Sequence, residues 1–417
     1  MRLLSLNNAT ARQFLRRRRA SDPAALAAAE RIVRDVQRRG DRALFAWTAR
    51  LDKFDIGPRT MWVPRKEIAA ARPSVAPELM RALEHAARNI RIVAQKQLPR
   101  EWSLVVEPGV RVAQRVSPLD AIGCYVPGGR HSLVSTLLMS AVPAQVAGVR
   151  RIVVACPKPN AAVLAAANLL GLTEVARIGG AQAIAALAYG THSVPRVDKI
   201  FGPGNRYVTA AKQIVSADCA VDLPAGPTEV LVVATRGNAR FIAADLVAQA
   251  EHDPDARAIF VTTSKKLAAA VQAEVASELA RLQATNPART ALARNGAILL
   301  AKSVAAAAEF ANAFAPEHLS VPGAERALLA DLRAAGSIFI GPWSAQSIGD
   351  YASGSNHVLP TGGWARVRGG LSAADFVRTS SVQQISRAGF RKLAPVVRAL
   401  AGAEDLAAHA RCVEVRQ

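Results

Sequence analysis

The hydrophobic and polar positions of this 417-residue chain follow one pattern up to about residue 100 and another beyond it. In the first part, apolar side chains recur at helical spacing. They predict a helix from Ser21-Asp22-Pro23 to about Arg39, a second from Asp41, and a third over 76–96. From about residue 103, short apolar runs broken by Pro and Gly predict strands over 104–106, 110–116 and 121–125. A helical part therefore precedes the first strands.

Apolar runs and helical segments then alternate in two successive sets. The first set predicts strands over 152–155, 175–178, 199–201 and 219–222, with helices over 133–147, 160–170, 181–188 and 205–216. The second predicts strands over 230–234, 258–262, 297–301 and 337–340, with helices over 238–250, 265–282 and 303–313. This alternation is typical of parallel sheets covered by helices on both faces. We therefore predict an α/β fold with two doubly wound, Rossmann-like parallel-sheet domains.

The same pattern suggests how the chain is divided, since 417 residues exceed the usual size of one hydrophobic core. We expect a short N-terminal arm over 1–20, and a first α/β domain built from 21–124 together with 229–371. The second α/β domain would cover 125–228. After about residue 372 the pattern is helical only, which predicts a C-terminal helical arm over 372–417.

Composition leaves two readings of the charge. The formal net charge is +21, which a nucleic-acid-binding protein would explain because Lys and Arg neutralise phosphates. However, the only dense cluster is Arg16 to Arg19, and no aromatic residues interleave with a basic stripe. We therefore favour a solvated, Arg-rich surface that helps to attract a dinucleotide, and keep nucleic-acid binding as a distant alternative.

Cysteine usage and hydropathy indicate a cytoplasmic protein. The four cysteines show no C-x-x-C motif and no paired spacing, so neither a disulfide framework nor a thiolate zinc site is indicated. Residues 132–149 are the most membrane-like stretch, but Ser135, Thr136, Ser140, Pro143 and Gln145 interrupt it. We expect a buried helix there and no membrane association.

Three glycine-rich turns lie near predicted strand ends and open helices, where backbone N–H groups can meet phosphate. They are Gly128-Gly129, Gly179-Gly180 and Gly202-Pro203-Gly204-Asn205. None completes the G-x-G-x-x-G dinucleotide motif, because residue 207 is Tyr. Each turn alone is often a plain strand–helix connection, but three in one α/β unit favour a nucleotide cleft.

Several polar side chains could carry chemistry. Gln249 and His252 would share one face at a helix end, so an amide oxygen and an imidazole could hold one cation. Glu317 and His318 are adjacent proton-transfer groups, which we expect on a turn that lets both approach a substrate. The other candidates are Asp350, His357, Glu404 and His409. A histidine near a helix end is often only a cap, so spacing alone predicts an α/β enzyme with a possible O- and N-ligand metal site.

Longer motifs resemble the histidinol dehydrogenase family. They are AIGCYVPGGRHSLVSTLLMSAVPAQVA at 121–147, IGGAQAIAALAYG at 178–190, VDKIFGPGN at 197–205, LPAGPTEVLV at 223–232, DLVAQAEHDPDA at 245–256, APEHLS at 315–320 and GDYASGSNHVLPTGG at 349–363. The resemblance runs from about residue 25 to the last predicted helix. It implies a cytoplasmic enzyme that uses NAD and one zinc ion per subunit to oxidise L-histidinol, through L-histidinal, to L-histidine.

The resemblance also implies roles for individual residues. Glu317 and His318 match the catalytic acid–base pair. The NAD-contacting positions match Tyr125, Gln182 and Asn205, and the zinc ligands match Gln249, His252, Asp350 and His409. Substrate contacts fall at Thr228, His357 and Glu404, together with His318 and the zinc ligands. It further implies a homodimer in which the C-terminal arm, with Glu404 and His409, completes the partner's site.

Some positions depart from the family pattern. Thr228 stands at a usual Ser, Val134 at a usual Pro, and Gly369-Gly370 at a usual Ser-Gly. Similar changes occur in the sulfopropanediol dehydrogenases, so a relative acting on another polyol is the alternative reading. The carboxylate of Glu404 favours a cationic or imidazole-bearing substrate over a sulfonate.

Overall fold

The computed structural model describes residues 1–16, 22–128, 133–223, 226–323 and 326–416. The predicted cap Ser21, the arginines beyond Arg16, Gly129 and His131 lie outside these ranges. Strands in the described residues are β1 (Arg2–Ser5), β2 (Trp102–Glu107), β3 (Val110–Pro118), β4 (Ala121–Tyr125), β5 (Arg151–Ala155), β6 (Val175–Ala176), β7 (Lys199–Phe201), β8 (Ala220–Val221), β9 (Glu229–Val233), β10 (Arg257–Thr262), β11 (Ala297–Leu300), β12 (His318–Val321), β13 (Ser337–Ile340) and β14 (Val377–Ile385).

The helices alternate with these strands, and many begin at a capping side chain, as at Asn205 and Ser264. They are α1 (Asn8–Arg16), α2 (Pro23–Arg39), α3 (Asp41–Asp52), α4 (Arg65–Ala71), α5 (Pro77–Gln97), α6 (Val134–Ala147), α7 (Ala161–Leu169), α8 (Gly180–Tyr189), α9 (Arg206–Val215), α10 (Ala239–Ala250), α11 (Lys265–Arg281), α12 (Pro287–Arg294), α13 (Val304–Phe314), α14 (Arg326–Asp331), α15 (Gln346–Tyr351), α16 (Arg387–Ala403) and α17 (Ala407–Glu414).

Two parallel sheets form the framework. One has the order β1-β11-β10-β9-β12-β13, and the other has the order β6-β5-β4-β7-β8. Counted in chain order from β9 and from β4, both contain the arrangement 3-2-1-4-5, with β1 added at the edge of the larger sheet. This is a doubly wound order, and it reverses between β9 and β12 and between β4 and β7. The predicted fold class is confirmed.

The amino-terminal helices cover the five-stranded sheet. Helix α2 packs on α8 and α9, α3 on α8, α4 on α7, and α5 on α6. The stripe that α2 buries is rich in small residues such as Ala25 and Ala29, which suits the alanines of α8 in the same core. We predicted that 21–124 would fold with 229–371. The packing corrects this, because these helices share their cores with the sheet of β4 to β8.

Both predicted arms are joined to sheets. Strand β1, from the predicted N-terminal arm, pairs with β11 in the larger parallel sheet. The C-terminal segment is not helical only, because β14 pairs antiparallel with β3, from Val377 opposite Pro118 to Ile385 opposite Val110. Strand β2 pairs on the other side of β3 and completes a three-stranded sheet. Only then do α16 and α17 follow.

Apolar helices in this protein are core helices. Helix α6 buries most of its length, as predicted for the most hydrophobic stretch. Within the described ranges, no helix combines the length and the apolar composition that a membrane crossing needs.

A buried ion pair ties the ends of β7 and β8 to helix α9. Lys212 donates to Asp222 and, at 2.9 Å, to the carbonyl oxygen of Gly202. Asp222 also accepts from the backbone N–H of Gly202 at 2.8 Å and of Leu223 at 2.7 Å. Gly202 has φ +114, and a Cβ there would meet the carbonyl oxygen of Tyr125 at 2.0 Å, so only glycine fits. The end of β4 and the residue that follows β7 therefore approach each other closely.

Replacing one partner of this pair leaves the other charge buried and unpaired. We expect Lys212→Met to lower the free energy of unfolding by about 3–5 kcal/mol. Chemical denaturation measures this, with Lys266→Met as the matched control on an exposed face of α11. The control should change the free energy of unfolding by less than about 0.5 kcal/mol. Equal effects of the two changes would show that the buried pair contributes nothing.

Candidate active site

The predicted acid–base pair lies at the start of a strand. Helix α13 ends at Phe314, Ala315 takes a left-handed conformation, and β12 begins at His318, with Glu317 just before it. His318 is aligned with Val230 of β9, so the pair faces Thr228 and Glu229, where β9 begins. We expected the pair on a turn, but His318 is the first residue of a strand. The pair therefore occupies the amino edge of the larger sheet.

Glu317 is a buried carboxyl group with two internal donors. Its Oε2 accepts from the hydroxyl of Thr228 at 2.5 Å and from the backbone N–H of Glu229 at 2.8 Å. Burial raises the pKa of Glu317 well above its usual range, and the charge of His318 and these two hydrogen bonds offset only part of that rise. A carboxyl group held in this way can exchange a proton near neutral pH.

His318 faces oxygen acceptors on both sides of its ring. Nδ1 donates to the backbone oxygen of Glu229 at 3.3 Å, and Nε2 donates to Oδ1 of Asp350 at 3.1 Å. Burial lowers the pKa of His318, but the charges of Glu317 and Asp350 outweigh burial and raise it above its ordinary value. Both ring nitrogens face oxygen acceptors, so this arrangement favours the protonated imidazole.

The predicted ligand Gln249 connects to the same network. Its Nε2 donates to Oγ1 of Thr228, whose hydroxyl then donates to Glu317. The side chain is 1% exposed, and its Oε1 is buried without a hydrogen-bond partner among the described residues. An amide oxygen left without a donor is a suitable ligand for a cation.

Asp350 and His357 extend the network toward the second sheet. The backbone oxygen of Asp350 accepts from Nδ1 of His357 at 3.0 Å, and Nε2 of His357 lies 3.4 Å from the hydroxyl of Thr136 on α6. Burial lowers the pKa of His357, with only partial compensation by Asp350. Burial tends to raise the pKa of Asp350, but the hydrogen bond and charge of His318 act against burial, and the pKa is lowered overall. His252, which is exposed after α10, adds a smaller effect in the same direction as His318. His252 therefore lies near enough to Asp350 for their charges to interact.

The other two predicted metal and substrate residues are elsewhere in the chain's own fold. Glu404 caps the end of α16 and His409 lies on α17, and both are exposed. No hydrogen bond or ion pair joins them to the network of Glu317 within the described ranges. In that part of the chain, no group of three or more His, Cys, Asp or Glu side chains is placed to hold a metal ion. Within one chain, Glu404 and His409 are therefore not part of this network.

The predicted cofactor residues lie at the carboxyl edge of the five-stranded sheet. Tyr125 ends β4, and its hydroxyl accepts from the backbone N–H of Gly180 at 3.2 Å. Gln182, in the first turn of α8, donates from Nε2 to Oδ2 of Asp52 at 3.0 Å, a residue that sequence reasoning missed. The Oε1 of Gln182 is buried without a hydrogen-bond partner in the described residues. The side-chain oxygen of Asn205 caps α9 by accepting from two backbone N–H groups.

Glycines line this edge at positions where a side chain would not fit. Gly180 has φ +62, and a Cβ there would lie 2.6 Å from Oε1 of Gln182. A Cβ on Gly128 or Gly179 would meet the ring of Pro157. Helix α8 begins without a side-chain cap, which leaves backbone N–H groups at its N-terminus. An unpartnered buried acceptor and a glycine-lined wall, close to the point where the strand order reverses, fit a dinucleotide.

One segment connects the two edges. After α15, the side chain of Asn356 donates to the backbone oxygen of Met139 on α6 at 2.7 Å. Further on, Arg368 donates to the backbone oxygen of Asp222 at 2.6 Å. His357 lies between these anchors. The segment therefore carries the network of the larger sheet to the cleft of the smaller one.

The two doubly wound sheets and the buried carboxyl–imidazole pair define a two-sheet α/β enzyme with an acid–base centre. Comparison with known proteins identifies the family. The sequence model of the histidinol dehydrogenase family matches residues 15–417. The chain belongs to the histidinol dehydrogenase family, and it is therefore an oxidoreductase of histidine biosynthesis that acts on an alcohol and an aldehyde.

Individual relatives are similar over nearly their full length. Histidinol dehydrogenase of Aquifex aeolicus is 45% identical over 388 residues, 93% of this chain and 91% of the relative. That of Geobacillus kaustophilus is 46% identical over 393 residues, 92% of each. The crystal structure of histidinol dehydrogenase from Elizabethkingia anophelis superposes with a TM-score of 0.92 at 35% identity, covering 100% of this chain and 97% of that one.

The hydroxyl of Thr228 joins Gln249 to Glu317, and this contact is testable. Thr228→Val keeps the shape but leaves both partners without the hydroxyl, and each lost bond to a buried group costs about 1–3 kcal/mol. We expect the rate of alcohol oxidation to fall about 10- to 100-fold. Thr228→Ser, which retains the hydroxyl, should stay close to the native rate. A Val variant as fast as the Ser variant would contradict the role of the hydroxyl.

Proposed function

We propose that this enzyme oxidises L-histidinol through L-histidinal to L-histidine, with NAD as oxidant and one zinc ion per subunit, in the cytoplasm. The observation that carries the proposal is the continuous network from Gln249 through Thr228 and Glu317 to His318 and Asp350. It sets two proton-transfer groups beside oxygen ligands for a cation. The cytoplasmic location is supported by the free state of all four cysteines.

We assign the cofactor to the carboxyl edge of the smaller sheet. Tyr125, Gln182 and Asn205 would hold NAD there, supported by the free Oε1 of Gln182 and the glycine-lined wall. NAD, when bound, accepts the hydride released in each oxidation. The chain's own part is to bind and orient it and to exclude water from the reacting groups.

We assign zinc to Gln249, His252 and Asp350, with His409 supplied by the partner subunit. The buried, unpartnered Oε1 of Gln249 supports this assignment. Zinc, when bound, would orient the amino and imidazole nitrogens of the substrate without taking part in electron transfer. Asp350 also holds His318, so a cation on Asp350 would weaken the contact that keeps the imidazole protonated. Thr228, His357 and the partner's Glu404 would line the substrate.

Two oxidations then follow on one pair of side chains. His318, in its neutral form, takes the hydroxyl proton as the alcohol carbon loses a hydride and becomes an aldehyde. Glu317 takes a proton from water as the water oxygen bonds to the aldehyde carbon. The hydrate loses a second hydride and becomes the carboxylate, and the remaining protons leave to solvent. Thus one histidinol and one water give histidine, and two NAD become two NADH.

The first test is this stoichiometry. Incubation with NAD, zinc and a limiting amount of histidinol should yield two NADH and one histidine for each histidinol consumed. NADH absorbance and histidine chromatography measure both products. A yield of one NADH with accumulating aldehyde would exclude the two-step reaction. If histidinol yields no NADH but another polyol does, a sulfopropanediol-type activity is favoured.

The roles of the pair can be separated with the aldehyde. His318→Ala should slow oxidation of histidinol, and Glu317→Gln should mainly slow oxidation of added histidinal, each by about 10²–10⁴-fold. The two half-reactions of each variant serve as each other's controls. Small and equal losses in both half-reactions would contradict the assignment.

The C-terminal part supports a shared site. Helix α16 and the loop after it expose Val396, Leu400 and Leu406, and the strand β2 exposes Leu104, Val105 and Val106. Such apolar surface favours burial against a second subunit. We therefore propose a homodimer in which Glu404 and His409 reach the partner's network.

Sharing of the site predicts complementation. His252→Ala and His409→Ala should each be inactive and low in bound zinc. When equal amounts exchange subunits, about half of the dimers are mixed, and each mixed dimer has one intact site. About a quarter of the native activity should therefore return, with zinc at the intact sites. If both histidines serve one site from the same chain, every site retains a lesion and neither activity nor zinc returns.

A further inference from the structure

The smaller sheet lacks an acidic residue at a place where dinucleotide-binding sheets of this order usually have one. In such sheets, a carboxylate following the second strand binds the ribose hydroxyls of NAD, whereas a basic residue accommodates the 2′-phosphate of NADP. The second strand here is β5, and Cys156, Pro157 and Lys158 follow it. By this local sequence alone, the cleft would favour NADP.

A carboxylate reaches the same edge from another element. Asp52 is the last residue of α3, and α3 packs on α8. Its Oδ2 accepts from Nε2 of Gln182 at 3.0 Å. Its charge also raises the pKa of the Tyr125 hydroxyl, although burial contributes more to that rise. Asp52 therefore lies among the groups that we assign to the cofactor.

Asp52 also faces the basic residue that follows β5. Burial raises the pKa of Asp52, and the charge of Lys158 opposes that rise more strongly than the hydrogen bond from Gln182 does. The ammonium of Lys158 lies 5.9 Å from the ring centre of Phe54, two residues after Asp52. Asp52, at the end of α3, thus places a negative charge near the positive charge of Lys158, which follows β5.

The bond to Asp52 also fixes the amide of Gln182. Because Nε2 donates to the carboxylate, Oε1 is the atom left to receive a donor. Gln182 is 1% exposed, so the packed surroundings limit any other orientation of its side chain. A carboxylate and an amide oxygen held side by side both accept hydrogen bonds. Ribose hydroxyls donate them, and a fully ionised phosphate does not.

We propose that Asp52 is the residue that selects NAD over NADP: its carboxylate accepts hydrogen bonds from ribose hydroxyls and repels a 2′-phosphate beside Lys158. The carboxylate usually supplied after the second strand is supplied here by α3. This inference rests on the proposed use of NAD at the carboxyl edge of the smaller sheet.

Direct binding of the two cofactors tests it. Dissociation constants of NAD and NADP are measured by calorimetry on the full-length enzyme without substrate, for the native protein and for Asp52→Asn. The asparagine keeps an oxygen for Gln182 but removes the charge. We expect NAD affinity to fall about 10-fold and NADP affinity to rise, so that the preference for NAD falls about 10- to 100-fold.

Matched variants show whether the change in cofactor preference comes from the charge of Asp52. Asp55→Asn removes the same charge from an exposed position three residues away and should leave the preference unchanged. Asp52→Asn combined with Lys158→Ala should lose the gain in NADP affinity, because the ammonium no longer attracts the phosphate. Asp52→Ser, measured in parallel, gives a second neutral side chain, and thermal melting verifies that each variant is folded.

The outcomes are distinct. If a folded Asp52→Asn or Asp52→Ser variant retains the native preference, or loses affinity for both cofactors equally, Asp52 is not the selecting residue. In that case the native enzyme still binds NAD and the proposed function stands. If the native enzyme binds neither cofactor, the proposed use of NAD fails, and the assignment of Asp52 fails with it.

Discussion

The hydrogen bonds that Glu317 accepts from Thr228 and Glu229 are the contacts on which the active region depends. They cross from the loop before β12 to the start of β9, and the two strands are neighbours only because the sheet order reverses there. The same alignment sets His318 against the backbone of Glu229 and toward Asp350. Burying a carboxyl group and an imidazole is costly unless each finds partners. Here each group supplies part of the other's environment, so a change at one position affects the pKa of the other.

The candidate site takes the carboxyl edge of the smaller sheet and the amino edge of the larger sheet, and the connection between the sheets explains this difference. In the smaller sheet, the glycine turns and Tyr125 follow the strands, as ligand sites of doubly wound sheets usually do. In the larger sheet, the reactive pair lies where β12 begins. A segment anchored to both sheets, by Asn356 on α6 and by Arg368 on Asp222, brings the two edges to one region. A hydride donor and a hydride acceptor must approach within contact distance, and facing edges of two rigid sheets allow this.

Sequence patterns predicted most strands of the two parallel sheets, and the bounds of β7 and β13 agree with prediction. They missed β12, because four residues with a His and a Ser carry no clear period. They also missed β14, whose residues are mostly polar and exposed and which is held by pairing with β3. The amphipathic stripe of α2 predicts a helix but not the sheet that it covers. Likewise, Gln182 and Asp52 are 130 residues apart, so their contact cannot be derived from local spacing.

Among the described residues, three buried glutamines have a side-chain oxygen without a hydrogen-bond partner: Gln346 and, on the two sides of the active region, Gln182 and Gln249. In Gln182 and in Gln249, the amide nitrogen donates within the chain, to Asp52 and to Thr228, and the buried oxygen has no partner in the described residues. Leaving a buried acceptor unsatisfied costs about 1–3 kcal/mol, so a fold under selection for stability alone would avoid it. Both oxygens lie where a cofactor or a cation is proposed, and a bound partner would offset that cost. The hydrogen bonds that the two amide nitrogens donate fix both side chains in advance, so that binding does not include the entropy cost of ordering them.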